Sequence, residues 1–222
     1  YTVAGVAPCT NSTATITVVE EVAADAGING LKDFCSNGLP ENLFSFLGGT
    51  PQNTGVWSGT SALTGGDLGT FDPSTTTAGT YTYTVTGVSP CLNSVATITV
   101  GISTAPEAGT NNTVTVCSNG TSVDLFASLG GTPSNTGAWS GASVLSGGHL
   151  GTYDPVTMSP GNYVYTVSGV APCADAIATI TVVEETAPDA GVSASHDFCS
   201  NGVVEDLFSF LGGTPNATGA WT

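Results

Sequence analysis

Six cysteines, three tryptophans and a twenty-residue hairpin recur along this chain at one fixed interval. Cys9, Cys91 and Cys173 stand 82 residues apart, as do Cys35, Cys117 and Cys199, and Trp57, Trp139 and Trp221 keep the same step. A long period without insertions marks a tandem array in which each unit is one small folding module. The 222 residues therefore hold a little under three units rather than one large domain. They divide into the closing hairpin of one unit at 1–21, full units at 28–103 and 110–185, and the opening part of another at 192–222. The chain opens inside one unit at Tyr1 and stops inside another at Thr222, as a window on a longer array does.

Within a unit the pattern is that of strands. In YTYTVTGVSPCLNSVATITV (81–100), Tyr81, Tyr83 and Val85 alternate with threonines, and Ala96, Ile98 and Val100 do so on the return arm. Alternation at period two gives one apolar face and one wet face, the signature of a half-buried antiparallel pair. Gly87–Ser94, with Pro90 and Cys91 inside it, is the turn. GVWSG at 55–59 and GTFDP at 69–73 read as short strands, the second closed by a proline. LPENLFSFLGGTP is ambiguous: Leu43, Phe44 and Leu47 share a helical face with Gly48 as a cap, whereas Phe44 and Phe46 share a strand face. Ser128 stands where Phe46 does in the next unit, which favours the helical turn. Six or seven short strands with regular turn signals predict an all-β sandwich. The joints, such as STAPEAGTNN at 103–112 and EETAPDAGVS at 184–193, are short. Units one and three share DFCSNG and LFSFLGG where unit two has VTVCSNG and LFASLGG, so the true period is read as two units, 164 residues.

Seventeen acidic residues face a single base, Lys32. That balance excludes nucleic acid, which requires a basic surface, and no apolar run is long enough for a membrane-spanning segment. Catalysis has no support either: His149 stands where Asp67 does, His196 where Lys32 and Val114 do, and no nucleophile or metal motif occurs. No cofactor is expected apart from calcium, for which the acidic joints offer weak candidates in Glu20, Glu21, Asp25, Glu184, Glu185 and Asp189. Asp72 and Asp154, each before a proline, read as turn residues. Asn11, Asn111, Asn119 and Asn216 lie in Asn-x-Ser/Thr sequons. Trp57, Trp139 and Trp221, one per unit on a central strand, are assigned to the core rather than to sugar stacking.

The combination CSNG…LFSFLGGTPxxxGxWSG…GTFDP…AGTYTYTVTGVSPC…ATITV resembles the immunoglobulin-like repeats of giant surface adhesins and gliding-motility-associated proteins of Bacteroidetes-type bacteria. The resemblance covers the whole chain. It implies tandem immunoglobulin-like β-sandwich domains, exported and extracellular, at a cell surface.

Small units need a staple, and two cysteines per unit supply one. Persistent disulfides in turn imply a secreted or surface-borne protein. Two pairings are open: Cys35–Cys91 within a unit, or Cys9–Cys35 across a joint. Chain entropy does not choose between them, at about 4 kcal/mol against about 3.5. In a sandwich of immunoglobulin type the start of the first strand and the last hairpin turn share a pole, which favours Cys35–Cys91 and Cys117–Cys173, one disulfide per domain. Cys9 and Cys199 would then pair outside the window. The expected role is structural, a stalk or filament serving adhesion or gliding motility, with further copies of the repeat in cis as first partners. Sheet edges almost without lysine leave room for self-assembly into filaments by strand addition. The alternative is an array of polysaccharide-binding modules reading surface polysaccharide through loops 61–68 and 143–150.

Overall fold

The computed structural model describes residues 1–222 and divides them into two compact units. Unit 1 comprises residues 1–105 with 169–174; unit 2 comprises residues 106–168 with 175–222.

In unit 1 a short pair, β1 (Thr2–Val3) and β2 (Ser12–Thr13), precedes the main sandwich. The main sheet is built from β3 (Gly30–Cys35), β5 (Val56–Gly59), β7 (Gly79–Val85) and β8 (Ser94–Ser103), in the order β3-β8-β7-β5. β4 (Glu41–Asn42) pairs with β6 (Thr70–Phe71) in a smaller second sheet. The expected alternation is present: Tyr81, Tyr83 and Val85 of β7 and Ala96, Ile98 and Val100 of β8 are buried on one face. Leu43, Leu47 and Phe71 close over that face, and Phe71 stacks on Phe34 and meets Tyr81 edge-on.

Burying tyrosines rather than phenylalanines requires a partner for each hydroxyl, because an unpaired buried polar group costs about 1–3 kcal/mol. Both are satisfied. Tyr81 Oη donates to the Thr77 carbonyl at 2.6 Å, and Tyr83 Oη donates to the Gln52 carbonyl and accepts from Gly55 N–H, each at 2.8 Å. Those bonds fasten the loops at 52–55 and 77–79 to the sheet.

LFSF at 43–46 is a 3-10 turn, with Phe44 set edge-on against Tyr83. Its capping residue is Leu47, not Gly48; Gly48 instead bridges Ile28 and the left-handed φ of 78° falls on Gly49.

Unit 2 repeats the plan with β9 (Asn112–Cys117), β10 (Val123–Asp124), β11 (Ala138–Gly141), β12 (Thr152–Tyr153), β13 (Gly161–Val167) and β14 (Ala176–Glu185). Its main sheet runs β11-β13-β14-β9, and its core holds Leu125, Leu129, Tyr153, Tyr163, Tyr165 and Ile180. The first and third repeats differ from the middle one at the positions where their sequences differ. Lys32 pairs with Glu41 and lies over Phe46; His196 pairs with Glu205 and stacks on Phe210. The matching positions in the middle repeat are Val114, Val123 and Ser128, an apolar pair with no ring beneath it.

The two sheets correct the cysteine assignment. In each main sheet every pairing is antiparallel except one: in unit 1, β3 runs parallel to β8, with Gly30 opposite Ile98 and Cys35 opposite Ser103. β8 leaves the hairpin turn at Ser94 and ends at Ser103, so Cys35 lies at the far end of the sheet from Cys91. Nine strand residues at about 3.3 Å each put roughly 30 Å between them. β9 and β14 repeat the arrangement, with Cys117 opposite Glu185. Cys35–Cys91 and Cys117–Cys173 are therefore not formed, nor is there one disulfide per domain. The expectation erred in setting Cys35 at the start of the first strand; it is the last residue of that strand.

Candidate functional site

The bond that does form is Cys35–Cys173, with Cα atoms 4.9 Å apart and 138 residues between them along the chain. Cys35 closes the first strand of one repeat, and Cys173 sits in the hairpin turn of the next.

The CSNG motif at the end of β3 makes the receiving side. Gly38 N–H donates to the Cys35 carbonyl at 2.8 Å, closing a four-residue turn. Ser36 N–H donates to the Ser103 carbonyl at 2.9 Å, and Ser36 Oγ accepts from Ala105 N–H at 3.0 Å, which straps the chain leaving β8 to the turn. The incoming hairpin turn is closed by Cys173 N–H donating to the Val170 carbonyl at 2.9 Å. Its sulfur lies 3.4 Å from the Ser103 carbonyl oxygen, and Ser103 Oγ donates to the Ala171 carbonyl at 3.4 Å. Cys173 is 7% exposed. The site is thus a covalent clasp with a backbone seat around it.

Cys9, Cys91, Cys117 and Cys199 are free. Cys117 and Cys199 donate their thiols to the side-chain oxygens of Asn119 and Asn201, at 3.0 and 2.7 Å. Apart from the sequon at Asn119, nothing in the composition of CSNG marks its serine and asparagine for this role. The signal for it was their recurrence, unchanged, after all three strand cysteines.

The tryptophans require a second correction. Trp57 and Trp139 lie on β5 and β11, the edge strands of their sheets, and are only partly buried; Trp221 is 65% exposed. Within the same sheets the fully buried aromatic positions are Tyr81 and Tyr83 of β7 and Tyr163 and Tyr165 of β13. Trp57 packs on Tyr83 and donates its indole N–H to the Asp67 carbonyl at 2.9 Å; Trp139 does the same with Tyr165 and His149. Trp57 and Trp139 therefore clamp the loops at 61–68 and 143–150, the candidate polysaccharide surface.

The calcium candidates are not gathered. No group of three or more acidic, histidine or cysteine side chains is placed to hold a metal. Asp25 and Asp189 accept from Gly27 and Gly191 N–H at 2.7 Å, and Glu107 accepts from Gly109 at 2.9 Å, the same turn at all three joints. Glu184 accepts from Tyr153 Oη at 3.3 Å. Burial, reinforced by the Glu184 charge, pushes the Tyr153 phenol up to about 12. Asp72 is the predicted turn residue, accepting from Ser74 N–H and Oγ, and those bonds hold its carboxyl below the usual range. Of the sequon residues, Asn111 accepts from Thr179 N–H at 2.8 Å and Asn216 from Asp189 N–H at 2.6 Å.

The class defined by this strand order is a tandem pair of immunoglobulin-like β-sandwiches. No family model matches the chain, and a search of curated proteins finds no relative. Solved structures aligned with it include the I67–I69 I-band fragment of titin (10% identity, 72% of this chain, 64% of that one, TM-score 0.39). Drosophila OTK extracellular domains 3–5 align at 15% identity over 80% of this chain and 66% of that one, with a TM-score of 0.40. Sidekick-1 immunoglobulin domains 1–4 align at 17% identity over 77% and 54%, with a TM-score of 0.27. The chain spans just under two thirds of the titin fragment. The architecture rests on the strand pairing described above and not on these alignments.

Proposed function

We propose that this chain is a structural repeat region of an extracellular surface filament or stalk that serves adhesion or gliding motility. One observation carries the reading: within an array of strict 82-residue period, a strand cysteine of one repeat is bonded to the hairpin cysteine of the next. A bond that ties repeat to repeat adds nothing to a binding pocket or an active site. It adds a covalent cross-link that keeps neighbouring repeats from being drawn apart, which a load-bearing fibre needs. A persistent disulfide also supports an oxidising, extracellular setting. The excess of acidic groups keeps a threonine- and glycine-rich surface soluble, and no helix is long and apolar enough to cross a membrane.

The test is imaging. Antibodies raised against residues 28–103 are applied to intact source cells and followed by electron microscopy with gold labelling. The reading predicts label along extended fibres of uniform width outside the cell. Label confined to the cell interior, or on compact particles, overturns it. Glycan-array binding by the 222-residue chain, with no fibres on the cell, would move the assignment to the polysaccharide-binding alternative.

A further inference from the structure

Three hairpin turns and three CSNG turns occur in the chain, but one disulfide joins them. We infer that Cys117 and Cys91 are the two open halves of the same clasp. Cys117 takes the hairpin-turn cysteine of the following copy of the repeat, and Cys91 takes the CSNG cysteine of the preceding one. The inference rests on the repeat-array reading and deepens it by naming the partner: another copy of this module, joined in the register seen at Cys35–Cys173.

Each open half reproduces its side of the closed bond. On the receiving side, Cys117 stands opposite Glu185 as Cys35 stands opposite Ser103. Ser118 N–H donates to the Glu185 carbonyl at 2.9 Å, as Ser36 does to Ser103. Ser118 Oγ accepts from Ala187 N–H at 2.9 Å, as Ser36 does from Ala105. The seat is therefore built before a partner arrives, with the Cys117 thiol held on Asn119.

On the donating side, Cys91 N–H closes its turn on the Val88 carbonyl at 2.8 Å, and Cys173 N–H does so on Val170 at 2.9 Å. The Cys91 sulfur lies 3.6 Å from the Glu21 carbonyl oxygen, as that of Cys173 lies 3.4 Å from Ser103. Glu21 and Ser103 are themselves 82 apart, so the turn at 88–91 already sits against the residue that precedes it by the same repeat step. Only the neighbouring CSNG cysteine is lacking.

The chemistry is thiol–disulfide exchange with a disulfide oxidant, oxidised glutathione in the test below. The Cys117 thiolate attacks one sulfur of the oxidant and expels a thiolate. The hairpin-turn thiolate then attacks the mixed disulfide at the Cys117 sulfur and expels the second. Two protein thiols lose two protons and two electrons, and the oxidant becomes two thiols. Because Cys117 lies between Cys35 and Cys173 in the chain, successive loops interlock and every repeat is bonded to both neighbours.

The test lengthens the chain. A copy of residues 59–103 placed directly after Thr222 continues the 82-residue step and sets one new hairpin cysteine 138 residues beyond Cys117, the separation of the observed bond. The protein is oxidised in a glutathione redox buffer, its remaining thiols are alkylated, and it is mapped by pepsin digestion and mass spectrometry without reduction. The expected result is two linked pairs, Cys35–Cys173 and Cys117 with the added cysteine, while Cys9, Cys91 and Cys199 are alkylated. In a Cys117→Ser version the added cysteine is alkylated and Cys35–Cys173 remains, which reports that the fold is intact. A link from the added cysteine to Cys199, an alkylated Cys117, or loss of Cys35–Cys173 in the unsubstituted lengthened chain each overturns the inference. None of these outcomes depends on whether fibres are seen on cells, so the two readings fail separately.

Discussion

Reducing the Cys35–Cys173 bond while the chain is held under force should release one long step. The residues between the two cysteines lie behind the bond, and pulling from Tyr1 and Thr222 cannot extend them while it is intact. The trapped segment spans 138 residues, and at about 3.5 Å per residue its contour is about 480 Å. Bonds within each repeat, Cys35–Cys91 and Cys117–Cys173, would trap 56 residues each and release two steps of about 200 Å. The assay is force-clamp extension of the 222-residue chain, attached through both ends, first without and then with a phosphine reductant. A single reductant-dependent step of about 480 Å is expected, and Cys173→Ser should abolish it, because the whole contour is then free from the outset. Two shorter steps, or none, would refute the clasp.

Other perturbations test the packing around the clasp. Gly69 and Gly66 share a left-handed φ of 61°, but a Cβ at Gly69 would strike the Trp57 indole and one at Gly66 meets nothing. Gly66→Ala should cost about 1 kcal/mol by chemical denaturation and Gly69→Ala at least about 2 kcal/mol; equal costs would show that Trp57 does not clamp the loop. Tyr83→Phe leaves Gly55 N–H without its acceptor and should cost about 1–3 kcal/mol, with hydrogen exchange at Gly55 accelerated. Tyr153→Phe should cost less than about 1 kcal/mol, since Phe71 fills the equivalent place in the other repeat. The unsubstituted chain keeps Tyr153 neutral when folded, so its contribution to stability is complete below the ordinary phenol pKa of about 10. That contribution is lost as pH rises toward the folded value of about 12. Melting between pH 10 and 12 should therefore flatten in Tyr153→Phe, and an unchanged slope would contradict the assignment.

Much of the fold was legible because it is local. Alternation in β7 and β8 named the buried face residue by residue, and the replacement of Phe46 by Ser128 pointed to the turn at 43–46. The difference between the middle repeat and its neighbours was legible too, and its substance is the exchange of Lys32–Glu41 for Val114 and Val123. What was not legible is non-local. The pairing of β3 with β8 is parallel, and nothing in GLKDFC states the direction of a strand 68 residues away. Direction alone decides whether Cys35 lies beside its own hairpin turn or at the opposite end of the sheet. The period admits separations of 26, 56, 108, 138 and 190 between a strand cysteine and a turn cysteine, and spacing does not rank them. The tryptophans misled for a related reason: a lone Trp on a strand reads as core, but β5 is the edge strand and the core positions fall to Tyr81 and Tyr83.

The central claim, that the array is clasped from repeat to repeat, is tested most directly by mapping the disulfides of the chain as it stands. Non-reducing digestion after alkylation should recover Cys35 linked to Cys173 as the single bridge, with Cys9, Cys91, Cys117 and Cys199 alkylated. Recovery of Cys35–Cys91 or Cys117–Cys173 would contradict it.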